Sequence, residues 1–484
     1  MPTIIPCPKN CTVQTGEKHT VLPALYTDVP TWGDTLAAFA TMLEKGYGVT
    51  PAIGTKGGFE CHYDAALEEN EYRLDSTGAI CIYASAVEGL TYGLATALQA
   101  VRPTEGGFAV EGLLIEDRPD KDYRALMVDL GRQWHPFYQL LQYVDICFYY
   151  KLKYLHLHFV DGELYTLPSE KFPRLSSEGK HYTREQIAEL NAYAEARGVV
   201  LVPEFECPGH APILNRQYPE VFSDKSEEEG GVFYTETGAI VDNKSLLCAS
   251  SPSAVEGVKT LLAELAEMFP RSPYIHIGGD EANIKLWGQC TSCRAYMEEN
   301  GIADVHELYS DYVARICAYV LSLGRTPIVW EGFPRKGSER VPKETVVVGW
   351  ECYYQRPDHL LEDGFRVINA AWKPLYIVPG MAFSGAVGWA PREILDWNVY
   401  RWQHWWEKSE ACASPIEVEP TDRVIGATLC AWEMTHEQDI GEIMNRAPAL
   451  ADRTWTAESP CEKRNFFASF RHVGDLLARI IQDR

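Results

Sequence analysis

No stretch of the 484-residue chain approaches the 18 or so uninterrupted apolar residues of a membrane-crossing helix. Basic residues are scarce: 44 Lys and Arg stand against 68 Asp and Glu, a formal net charge of −24. Such a field repels phosphate backbones and anionic bilayers, so neither nucleic acid nor a membrane is expected as a partner. A neutral ligand such as a sugar is indifferent to it. Low-complexity tracts are also lacking, and 46% hydrophobic with 23% charged residues excludes a disordered chain. The opening segment holds Pro2, Pro6, Pro8 and Lys9 where a secretory leader needs an apolar run, so a cytoplasmic location is expected.

Cysteine is not scarce, but the 14 residues are scattered and read as buried, reduced thiols. Only Cys290 and Cys293, in CTSC, have the spacing of metal ligands. Zinc takes four ligands and no second pair lies nearby in sequence, so zinc is the lesser reading and no metal or cofactor is expected.

The length suits two domains as well as three. A polar, proline-broken stretch at 117–121 marks the change of character and divides the chain into residues 1–118 and 119–484. Before it, 71–75 and 79–85 read as strands and 89–101 as a helix, a small α+β domain. After it, eight short β-branched runs recur: 124–130, 153–160, 199–206, 274–279, 326–332, 345–351, 366–371 and 424–432. Helical patterns such as 184–197, 254–268 and 305–323 lie between most of them. This α/β alternation suggests a (β/α)8 TIM barrel, although a doubly wound sheet would also produce it. Only 333–344, with two prolines, separates the fifth run from the sixth, so no full helix is expected there. Ser223–Gly238 forms a long acidic insertion, and the last 25 residues, including Phe467, Phe470, Val473, Leu476, Leu477 and Ile480, read as a closing amphipathic helix.

In such a barrel the reactive residues sit at the carboxyl ends of the strands. Those ends carry Asp129 and Arg132, Asp161, Glu204 and Glu206, Asp280 and Glu281, Glu331, Trp350, then Trp432 and Glu433. Ten of the 13 tryptophans lie at or beyond Trp330. Carboxylates and an arginine can bind sugar hydroxyls while aromatic faces stack on the ring. The sharpest element is Tyr274-Ile-His-Ile-Gly-Gly-Asp-Glu281: a strand, two glycines that permit unusual dihedrals, then adjacent carboxylates whose repulsion separates their pKa values. Read alone, an Asp-Glu pair serves as readily as a helix cap.

HIGGDE resembles the signature of glycoside hydrolase family 20, the β-N-acetylhexosaminidases, and the likeness extends along nearly the whole chain. Asp129-Leu-Gly-Arg132, His156-Leu-His158-Phe-Val-Asp161, Pro203-Glu-Phe-Glu-Cys-Pro-Gly-His210, Trp330-Glu331, Trp350, Tyr376 and Trp432 follow the family's order. The resemblance implies an exo-acting, retaining hydrolase that releases terminal β-linked GlcNAc or GalNAc from glycans. The substrate's own acetamide would act as nucleophile through an oxazolinium intermediate. It implies Glu281 as acid and base, Asp280 as partner of the acetamide, and Arg132 on the sugar hydroxyls. Tyr376 would bind the acetamide oxygen, with Trp350 and Trp432 around the methyl group and Trp330 among the substrate-binding residues, and Asp161 and His210 would support the acid.

The chain departs from the family pattern in several places. Asp161-Gly162-Glu163 replaces two aspartates and a glutamine, and Glu206 stands for an aspartate. Val378 occupies an aspartate position, with Trp372 a substitute for a missing tryptophan. Trp432-Glu433-Met434 displaces a sugar-binding glutamate, leaving Glu433 as its candidate. Sugar preference, a disaccharide-releasing or modified-GlcNAc specificity, and a homodimer are left open. Two rivals belong to other classes: a metal-dependent hydrolase built on His156, His158, Asp161, Glu204, Glu206 and His210, and a barrel that binds glycans without cleaving them.

Overall fold

The computed structural model describes residues 3–14, 18–223, 232–234, 240–242, 246–379, 388–457 and 462–482. Most of the insertion at 223–238 lies outside the described residues.

The N-terminal part is a seven-stranded sheet carrying helices Gly33–Tyr47 and Val87–Ala100. The expected strands are found at Tyr72–Asp75 and Ile80–Ala84, alternating between buried and half-buried residues as a sheet covered on one face requires.

All eight later runs form parallel strands: Tyr123–Asp129, Tyr154–His158, Val200–Glu204, Tyr274–His276, Thr326–Trp330, Val346–Gly349, Arg366–Asn369 and Val424–Ala431. The first pairs with the eighth, Ala125 opposite Thr428 and Met127 opposite Cys430. That closure excludes the doubly wound alternative and makes the sheet a (β/α)8 barrel. Helices Arg184–Glu195, Pro252–Met268 and Val305–Ser322 occupy the expected intervals, and between the fifth and sixth strands there is only a single 3-10 turn, Ser338–Arg340.

The closing helix, Lys463–Ile481, buries Phe466, Val473, Leu476, Leu477 and Ile480. Phe467, expected on that face, is exposed: the 3.6-residue period that aligns 473, 476 and 480 brings Phe466 inward instead. Leu476 and Ile480 lie against Gly46 of the first helix, and Arg479 Nε donates to the Gly46 carbonyl (2.9 Å), tying the chain's end to its first domain. Among the described residues, no helix is long and apolar enough to cross a membrane.

Strand alternation sorts the barrel interior into an apolar side and a polar side. Ala125, Met127, Val202, Ile328, Val346, Val348, Ile368, Ala370 and Cys430 fill it, and a tyrosine group closes the base, with Tyr123 and Tyr154 stacked at 4.6 Å and Tyr274 edge-on. Continuing the same inward positions to the mouth places Trp330, Trp350 and Trp432 at the top. On the second to fourth strands the inward positions are His156, His158, Glu204 and His276, all fully buried.

Candidate active site

Asp280 and Glu281 reach the barrel mouth because the fourth strand ends in two glycines of positive φ, Gly278 (+69°) and Gly279 (+94°). A Cβ on Gly278 would lie 1.9 Å from Glu206 Oε2, and one on Gly279 would lie 2.6 Å from Val329 Cγ2. The turn therefore needs glycine for space as well as for dihedral freedom. Trp330 N–H donates to the Gly278 carbonyl (2.9 Å) and the Tyr309 hydroxyl donates to that of Gly279. Gly278→Ala is expected to cost about 1–3 kcal/mol through overpacking against Glu206. The measurement is the thermal midpoint, and adding Glu206→Ala should recover part of the loss, the positive φ accounting for the remainder.

Glu281 itself sits at φ +46°, and His210, Cys352 and Glu433 at +48°, +54° and +58°. Four of the five described non-glycine residues in this region are thus at the mouth. Each such residue costs on the order of 1–3 kcal/mol and persists where the surroundings over-determine it.

A cavity of about 280 Å³ opens here, walled among the described residues by Arg132, Trp350, Trp372, Tyr376, Trp432 and Glu433, with Asp280 and Glu281. Tyr376 stacks between Trp372 (4.6 Å) and Trp350 (6.1 Å). Eight of the eleven residues singled out from sequence therefore meet in one cavity. Asp161, His210 and Trp330 are not among its lining residues. Trp330 lies beneath, its indole N–H donating to Glu204 Oε1 at 2.6 Å.

Asp161 and His210 form a charged layer behind the acids. Arg132 Nη2 lies 2.8 Å from Asp161 Oδ2 and Nη1 3.2 Å from Asp129 Oδ2, with the guanidinium 5.0 Å over the Trp432 ring. His210 stands between Asp161 (Nδ1–Oδ1 3.4 Å) and Glu281 (Nε2–Oε2 3.3 Å), with Asp280 Oδ2 at 3.7 Å. Burial depresses the His210 pKa, but Asp161 and Asp280 outweigh it and hold it well above the usual histidine range. Burial likewise pushes Glu281 up, and His210 and Arg132 more than offset this, leaving it below the ordinary value. Asp280 goes the other way: burial, reinforced by Glu281 and opposed by His210, raises it to about 6. The adjacent acids are thus split electrostatically, and Asp280 Oδ1 is buried with no hydrogen-bond partner among the described residues.

The polar cluster on the second to fourth strands is organised by Glu204. Its Oε2 lies 2.9 Å from His156 Nε2 and 2.6 Å from His158 Nδ1; its Oε1 lies 2.8 Å from His276 Nδ1 and accepts from Trp330. Both carboxylate oxygens are engaged by protein groups, so the cluster is a buried hydrogen-bond hub beneath the acids. Glu204 is taken up by this hub, whereas both Glu206 carboxylate oxygens are buried with no hydrogen-bond partner among the described residues.

Sequence reasoning missed one wall. Glu351, Val378, His404, Trp405 and Trp406 also line the cavity. The Trp405-Trp406 doublet was the available signal, but it lies on a connection between strands, where periodicity says nothing. Glu331, noted as a strand end and in the Trp330-Glu331 pair but given no role, accepts from six successive backbone N–H groups, 350 to 355, at 2.8–3.4 Å. That nest fixes the turn presenting Trp350 and Glu351. Glu351 Oε2 is buried and unpartnered among the described residues, and burial, then Glu281, pushes its pKa up to about 9. His404 Nδ1 accepts from the N–H groups of Trp405 (3.0 Å) and Trp406 (2.8 Å), so its proton is on Nε2, which is buried and has no partner among the described residues.

The profile of the glycosyl hydrolase family 20 catalytic domain matches residues 122–458, and that of the family's domain 2 matches residues 1–118. A beta-hexosaminidase of Vibrio furnissii is 28% identical over 418 residues, covering 80% of this chain and 65% of that protein. One of Akkermansia muciniphila is 34% identical over 282 residues, 54% and 56% of the two. The chain spans less than two thirds of the length of either relative. The fold matches the family 20 exo beta-N-acetylglucosaminidase of Vibrio harveyi, crystallised with N-acetylglucosamine, with a TM-score of 0.83 at 21% identity over 99% of this chain and 77% of that one. With the catalytic profile covering more than two thirds of its residues, the chain belongs to glycosyl hydrolase family 20.

Proposed function

We propose that the protein is an exo-acting, retaining β-N-acetylhexosaminidase that removes terminal β-linked GlcNAc or GalNAc by substrate-assisted catalysis. The observation that carries this reading is the buried, unpartnered Asp280 Oδ1 beside Glu281 in an aromatic-walled cavity. A carboxylate oxygen left without a donor in so dry a place is costly unless the ligand supplies one, and an acetamide N–H does. Held there, the acetamide carbonyl is turned on the anomeric carbon and closes an oxazolinium ring whose positive charge Asp280 stabilises. Glu281 protonates the departing oxygen and then deprotonates water. His210, which Asp161 keeps charged, stands 3.3 Å from Glu281 and supports it electrostatically.

The cavity is at the small end of ligand pockets, which run roughly 300–1,000 Å³, and this favours one ring, hence terminal release. With Val378 and Met434 at positions that hold acids elsewhere in the family, neutral Glu351 and the His404 Nε2–H take over part of hydroxyl binding. Glu351→Gln, which keeps a donor and an acceptor, should change KM by no more than a few fold, and Glu351→Ala should raise it about tenfold, the worth of one lost hydrogen bond. Steady-state kinetics on a β-GlcNAc glycoside separates the two.

Because Asp280 must be ionised to accept the N–H and its pKa is raised to about 6, kcat/KM should fall as the pH drops below about 6. The reading is tested with a panel of β-linked GlcNAc, GalNAc, glucose, sulfated GlcNAc and lacto-N-biose glycosides. Release of GlcNAc or GalNAc with glucose inert supports it. Equal turnover of the glucoside, or binding without release, contradicts it.

A further inference from the structure

The fold brings a third cysteine to the CTSC pair. Cys248, at the end of the segment preceding helix Pro252–Met268, is 45 residues from Cys293, yet their sulfurs are 3.8 Å apart. The sulfurs of Cys248, Cys290 and Cys293 all lie within 4.8 Å of one another, and all three residues are buried. We propose that Cys248, Cys290, Cys293 and the Ser250 hydroxyl form a structural site for one zinc ion.

The argument is geometric. Zinc bound tetrahedrally at about 2.3 Å from sulfur puts the sulfurs roughly 3.8 Å apart, as in the Cys248–Cys293 pair, and far beyond the about 2.05 Å of a disulfide. With oxygen at about 2.0 Å from the metal, the sulfur-to-oxygen edge is roughly 3.5 Å. Ser250 Oγ lies 3.5 Å from Cys248 Sγ and 3.4 Å from Cys293 Sγ, matching two of those edges. The backbone N–H of Cys293 donates to Cys290 Sγ (3.3 Å), an orientation that steadies a metal-bound thiolate. Binding Zn2+ displaces the thiol protons to solvent, and no electron is transferred.

None of the four residues lines the cavity, so the ion is not placed to take part in the reaction. It joins two loops that carry it. Leu247 N–H donates to the Pro208 carbonyl (2.9 Å), two residues before His210, and Trp287 Nε1 donates to the Leu247 carbonyl (2.9 Å), six residues after Glu281. A metal beside this junction would brace the two strained residues His210 and Glu281. Spacing in sequence could not reveal the site, because its third thiol comes from a different connection of the barrel.

The test uses the full-length protein, reduced and freed of metal, then given Zn2+ or Co2+ alone. About one equivalent should bind, Co2+ should give a thiolate-to-cobalt charge-transfer band, and zinc should raise the thermal midpoint of stripped protein. Cys248→Ser should weaken binding roughly 100-fold or more, and Ser250→Ala less, since three thiolates remain. Failure of the wild-type protein to take up stoichiometric metal or to show the cobalt band would overturn the proposal without reliance on any variant. So would metal that stays bound when Cys248 and Cys293 are both replaced.

Discussion

Glu281→Gln should lower kcat by roughly 10²–10⁴-fold on substrates whose leaving group is a sugar, the usual worth of a general acid. The loss should be far smaller for dinitrophenyl glycosides, whose leaving group departs without a proton. Glutamine keeps the side chain's shape and accepts the same strained backbone, so the fold is preserved and the comparison isolates the proton. The effect should appear in kcat more than in KM, because the interaction exists only as the bond breaks. His210→Ala should act in the same direction and more weakly: it removes the group 3.3 Å from Glu281 but not the acid. Steady-state kinetics on a pair of glycosides differing only in leaving group reads both variants. Equal losses on good and poor leaving groups would show that Glu281 does not deliver a proton.

Asp280→Asn should cost roughly 10²–10³-fold in kcat, comparable to removing one group that stabilises charge in the transition state. The residue is buried beside Glu281 and His210, so the substitution removes a negative charge where a positive one develops, and water cannot replace it. It also lets an amide N–H2 face the acetamide N–H, which leaves both donors unpaired. Inhibitors carrying a preformed thiazoline ring should bind the variant more weakly than the wild type, while simple sugars lose much less. Calorimetric titration of one such inhibitor and of glucose measures the contrast. A variant that turned over at the wild-type rate would remove Asp280 from the mechanism.

Much of this was legible from residues alone, for an identifiable reason. Parallel strands buried on both faces read as continuous apolar runs, so all eight could be counted, and the active end of such a barrel follows from strand direction. Residues at or just past the ends of several runs, Arg132, Asp280, Glu281, Trp350 and Trp432, therefore came together as expected. What escaped was set by contacts between distant loops. Glu351 owes its place to the six N–H groups gathered by Glu331, His404 owes its tautomer to two backbone donors, and Cys248 meets Cys293 only through the fold. Trp330, at an inward position near the top of its strand, was expected at the sugar and is held lower by its bond to Glu204. Phe467 was misplaced by one residue, which on a helix is 100° of rotation.

The central claim is that the amide on the sugar, not a side chain, attacks the anomeric carbon. The direct measurement is kcat/KM for p-nitrophenyl β-glycosides whose 2-acetamido group carries no, one, two or three fluorines. Fluorine drains electron density from the carbonyl oxygen with little change in size, so the rate should fall stepwise along the series. A flat series, or capture of a sugar covalently bound to a carboxylate of the protein, would contradict the account.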